Sequence, residues 1–151
     1  MPSFETKNFG PIPYQPEAVL KFPCGLPGFE DRRRFLALNL EDKKPLLFLQ
    51  SLDDPGLCFI TMPVLNVDPA YRLEISENDL DLLGLPTGRQ PQIGQEVLCL
   101  AIVSLEEGGP TANLLAPIVV NLSNLVAVQA IAEESDYSHR QPLLCEEYAV
   151  C

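Results

Sequence analysis

TANLLAPIVVN, residues 111–121, places an apolar run between two asparagines and interrupts it with Pro117. It holds no acid, base, His or Cys, so it carries backbone geometry and not catalysis. The Val/Ile content of Leu114–Val120 predicts a strand. Beyond it, Asn-Leu-Ser-Asn at 121–124 has turn composition and leads into a second apolar stretch, Leu125–Ile131. Before it, EEGGP at 106–110 is a turn. Upstream of that turn, Glu96–Leu105 contains VLCLAIV, a continuous apolar run of the length expected for a central strand. Three strands joined by short turns make this half of the chain β.

The rest agrees. The chain has 151 residues, 46% of them apolar, enough to bury a core. Fifteen prolines, about twice the usual share, favour short elements and rigid turns over a helical bundle. Further strands are expected at Phe4–Asn8, Glu17–Phe22, Phe35–Leu40, Pro45–Ser51, Leu57–Met62 and Tyr71–Ile75. The last alternates Tyr71, Leu73 and Ile75 with Arg72 and Glu74, the pattern of a strand buried on one side. Ser76–Leu85 is the one helix: Ser76 can cap, Glu77, Asp79 and Asp81 suit its N-terminal end, and Gly84 and Pro86 stop it. The fold class expected is all-β, a single-domain pseudobarrel or sandwich of about eight to ten short strands with one short helix near 76–85. The domain spans 1–144, and 145–151 forms a loose C-terminal tail.

The formal charge is −11. Residues 1–75 hold eight Lys/Arg against ten Asp/Glu, while residues 76–151 hold two against eleven. Such a surface repels nucleic-acid phosphates and anionic membranes, and attracts a basic partner. Five cysteines at 24, 58, 99, 145 and 151 are odd in number, and none has zinc-ribbon or redox spacing. Cys58 and Cys99 lie in apolar runs, as small hydrophobes do. No signal peptide or membrane-length apolar run is present, so a cytoplasmic location is expected.

Catalytic chemistry is absent from the sequence. The single histidine, His139, sits in a polar stretch beside Arg140, and the paired acids at 53–54, 106–107 and 133–134 fall in or beside turns. No phosphate-binding glycine loop is present. Neither an enzyme, a cofactor, a metal nor a small-molecule substrate is expected.

Three ordered stretches together resemble the flagellar assembly factor FliW family: GLPGFE at 25–30, the Leu-Gln-Ser ending of 46–51, and TANLLAPIVVN. ETKNFG near the start, Pro69 and Tyr71 before Leu73–Ile75, Gln129–Ile131, and Tyr137 followed by Pro142-Leu143 extend the likeness over roughly residues 5–144. The chain departs from the family pattern in its tail and in the Pro-Gln-rich loop 85–95. The resemblance implies a bacterial, cytoplasmic, non-catalytic β pseudobarrel. It implies two partners, newly made flagellin and the RNA-binding translational repressor CsrA. Export of flagellin would free the protein to antagonise CsrA, coupling flagellin synthesis to export. A generic acidic β-domain adaptor for another protein is the alternative, and a thiol-based metal or redox protein is a third reading.

Candidate partner-binding residues each carry a competing structural reading. Phe29 and Glu30 belong to a glycine-proline turn whose phenylalanine also suits a barrel end. Gln50 ends an apolar strand and is suited to bond a neighbouring loop. Asn113 and Asn121 are suited to satisfying loop backbone. Glu77, Asp79 and Asp81 favour a helix start before they offer a docking surface.

Overall fold

A computed structural model describes residues 2–132 and 135–143. It contains a hairpin of β1 (Ser3–Thr6) and β2 (Gly10–Pro13), then β3 (Leu20–Lys21), β4 (Arg34–Leu38), β5 (Leu47–Ser51) and β6 (Cys58–Pro63). Two short helices follow, α1 (Val64–Val67) and α2 (Glu77–Leu83). The chain continues with β7 (Val97–Glu106), β8 (Gly109–Asn121), β9 (Ala127–Gln129) and β10 (Gln141–Pro142). Antiparallel neighbours from β3 to β8 build a barrel-like sheet, and β9 and β10 both pair with β8 on the side away from β7. Among the described residues the barrel closes only through one bridge, in which Lys21 N–H donates to Leu125 O at 2.9 Å.

The apolar run of β7 is explained by burial on both faces. Leu100 points inward with Phe22, Phe35, Leu49 and Ile118. Val97 and Cys99 point outward, where Tyr71, Leu73, Ile75, Leu80 and Leu83 cover them. The cover is the strap 64–85. Residues 71–75 alternate between buried and exposed as expected, yet they form no strand. Their polar backbone is met by side chains instead. Arg72 N–H donates to Tyr137 Oη at 2.9 Å, and the Gln90 amide both accepts from Ile75 N–H and donates to Ile75 O. Alternation reports one buried face, which an extended strap shares with a strand.

The helix is capped as its sequence predicts. Asp79 N–H donates to Ser76 Oγ at 3.1 Å, and Gly84, at φ 77°, ends it with Leu85 N–H bonded to Leu80 O. Glu17–Phe22 is shorter as a strand than its sequence suggests, because Pro16–Ala18 makes a 3-10 turn and only Leu20–Lys21 pairs. The polar stretch after Ala132 is folded back where it is described: Tyr137 stacks on Tyr71 with ring centroids 4.4 Å apart, and β10 pairs with Thr111 and Ala112. The expected loose tail at 145–151, with Cys145 and Cys151, lies outside the described residues.

Candidate functional site

Residues 111–121 do not run as an even strand. Leu100 of β7 faces Ile118, but Ile102 faces Asn113, so four residues of β8, 114–117, stand opposite Ala101. Pro117, which has no N–H for a ladder, fits such an irregularity. Asn113 Oδ1 accepts from Leu115 and Ala116 N–H at 3.1 and 3.0 Å and so holds the excursion's shape. Its carbonyls are met from elsewhere: Leu114 O by Tyr71 Oη–H, Leu115 O by Ala132 N–H, Ala116 O by Gln129, and Pro117 O by Ala130 N–H. Asn121, 3% exposed, donates from Nδ2 to Leu83 O at 2.8 Å and accepts from Ser123 through Oδ1. It ties the C-terminal end of α2 to the β8–β9 turn. Both asparagines are engaged internally, the structural half of their expected alternatives.

Gln50 is fully buried and donates from Nε2 to the carbonyls of Ser51, Asp54 and Pro55, while Ser51 Oγ accepts from Asp53 and Asp54 N–H. The Leu-Gln-Ser motif therefore shapes the Asp53–Gly56 turn. That turn in turn accounts for the three consecutive arginines Arg32–Arg34. Asp53 accepts from the guanidinium and N–H of Arg34 and from Arg33 N–H. Burial pushes the Asp53 carboxyl up, but those hydrogen bonds outweigh it and leave the group below its ordinary value. Arg32 pairs with Asp31 and Asp54.

The GLPGFE turn closes tightly on itself. A Cβ on Gly25, at φ 65°, would lie 2.6 Å from the Glu30 backbone, so glycine is required there. Phe29 turns inward to meet Phe59 edge-on at 5.6 Å, while Glu30 stays exposed and accepts from Gly28 N–H.

Glu30 and Asp79, far apart in sequence, line one groove of about 270 Å³ between this turn, α2 and β9, with Leu82 and Gln129. A second groove of about 560 Å³ continues from it past Asp79 and Gln129 to Glu74, Ile131 and Ala132. Among the described residues neither has a Lys or Arg in its lining. Ile131 and Leu82 are 52% and 38% exposed. Glu77 and Asp81 point away from Asp79, because positions four apart share a helix face and a position between them does not. The structure thus joins Glu30 with Asp79 and separates Phe29, Gln50, Glu77, Asp81, Asn113 and Asn121 from that groove. Sequence reasoning missed Glu74, Leu82 and Ile131. The outward phase of Glu74 in the 71–75 alternation was the available signal for the first.

Burial pushes the Cys58 and Cys99 thiols up to about 11 and about 12, far from thiolate at neutral pH. Cys24, Cys58 and Cys99 are free, and among the described residues no three His, Cys, Asp or Glu side chains come together in a metal-holding group. No helix among the described residues is long and apolar enough to cross a membrane.

A sequence model described as "FliW protein" matches residues 3–143. The chain is 35% identical over 144 residues to the flagellar assembly factor FliW of Thermoanaerobacter pseudethanolicus, covering 93% of this chain and 92% of the relative. It is 31% identical over 140 residues to that of Bacillus subtilis, covering 91% and 94%. A crystal structure of the flagellar assembly factor FliW superposes with a TM-score of 0.82 at 29% identity, over 97% of this chain and 99% of that one.

Proposed function

The chain belongs to the FliW family of flagellar assembly factors, and from that premise we propose that it is a non-enzymatic regulator that binds flagellin in the cytoplasm and antagonises CsrA. Flagellin and CsrA compete for the state of this protein through mass action. While flagellin accumulates, the protein is occupied. Once flagellin is exported, the freed protein turns to CsrA, and flagellin mRNA is translated again. No chemistry on a substrate is needed.

The observation that carries this reading is the family match over residues 3–143. The charge distribution supports it: residues 76–151 hold two basic against eleven acidic side chains, suited to a protein whose RNA-binding surface is basic. The test is a titration of the purified protein with flagellin and with CsrA from the same organism. A complex with each is expected, together with loss of CsrA–RNA binding as the protein is added. No complex with either at low salt and micromolar concentration overturns the reading.

A further inference from the structure

Among the described residues, the side of β9 away from β8 has no strand paired along it. Ala130 N–H donates to Pro117 O at 2.9 Å and Ala132 N–H to Leu115 O at 3.0 Å, so the even-numbered amides face β8. Successive backbone amides of an extended chain alternate in direction, which turns those of Gln129 and Ile131 away from β8. Among the described residues the Ile131 backbone makes no hydrogen bond. In a fully closed barrel β3 would occupy this edge. Here β3 has only two residues, and the chain leaves after its bridge at Lys21 to enter the GLPGFE turn. The two grooves described above run along the edge left open.

We propose that the outer edge of β9 and of the extended residues after it accepts a basic, extended segment of a protein partner, added as a further strand. Unpaired edge amides and carbonyls are a ready template for a backbone of any sequence. What selects the occupant is charge. Glu30, Glu74 and Asp79 border the edge with no Lys or Arg in the lining, and exposed Ile131 and Leu82 supply apolar contacts. A segment that alternates apolar and cationic residues satisfies both walls at the two-residue period of a strand. A second copy of this chain is a poor occupant: its net charge is −11, and its Arg32 and Arg34 are already paired with aspartates. The inference goes beyond the family reading, since it concerns how a segment is recognised and holds whichever protein supplies it.

The probe is a short capped peptide alternating lysine and valine, titrated into the full chain while amide exchange is followed by NMR. Saturable binding is expected, with slowed exchange at Gln129 and Ile131. The double variant Glu74→Lys/Asp79→Lys should bind about tenfold more weakly, as loss of two surface charge pairs implies. The same peptide N-methylated at alternate residues should not bind, a control that involves no change to the protein. The proposal is overturned if the plain peptide fails to bind, if the Gln129 and Ile131 amides exchange at their free rate when it is bound, or if the N-methylated peptide binds equally well.

Discussion

On one side of the barrel, β7 and β8 run ten and thirteen residues and pair along most of their length; on the other, β3 and β9 offer two and three residues, and among the described residues one bridge, from Lys21 to Val126 just before β9, spans the seam. Along Val97–Val103 the first side is covered on both faces, by the barrel interior within and the 64–85 strap outside. The second is partly open, bordered by carboxylates and exposed apolar side chains. The contrast separates two tasks. A long, doubly covered hairpin carries stability, and a short seam next to it leaves backbone and charge available to a partner.

The comparison is broken most severely by damage to the interior that both sides share. Phe35 is fully buried and meets Phe22 edge-on at 5.2 Å, so Phe35→Ala should cost about 3–5 kcal/mol in urea unfolding. An unchanged midpoint would mean that the interior is not packed as described. At the junction of the two sides, Asn121→Ala strips the Leu83 carbonyl of one of its two amide donors and leaves Ser123 N–H without its acceptor. About 1–3 kcal/mol should be lost, with faster amide exchange concentrated in α2. Uniform acceleration across the sheet would contradict the role assigned to Asn121.

Much of this was legible in the sequence because it depends on local chemistry. Ser76, Gly84 and Pro86 mark the helix ends, and the apolar run in Val97–Val103 marks a strand covered twice. The excursion at 114–117 was not legible, since its carbonyls are satisfied by Tyr71, Gln129, Ala130 and Ala132, partners that only the fold brings near. The strap at 71–75 read as a strand because period-two burial does not say whether a ladder exists. Of the site residues expected, Glu30 and Asp79 meet in one groove, whereas Gln50, Asn113 and Asn121 are engaged in holding turns. A polar side chain that satisfies backbone inside the fold and one that lines an open groove can be of the same type, so type alone did not separate them.

A smaller effect sharpens the comparison in the loop beside β7. The Arg89 guanidinium, bonded to both Glu96 oxygens at 2.9 and 2.7 Å, holds that carboxyl at about 2, below its ordinary 4.5. Because the folded value is the depressed one, the contribution is complete above the unfolded value and is lost as pH falls through the folded one. The gap in thermal midpoint between the protein and Glu96→Gln should be small at pH 7, narrow below about 4.5 and vanish near 2. A gap that persists at the acid end would assign the effect to something other than this ion pair.

Hydrogen exchange across the whole chain, alone and with flagellin or CsrA added, tests the division most directly. The account predicts partner-induced protection at 127–132 and 74–82, with the β7–β8 hairpin slow and unchanged in every sample. Protection that appears on the exposed end of β7–β8 while the seam exchanges at its free rate would contradict it.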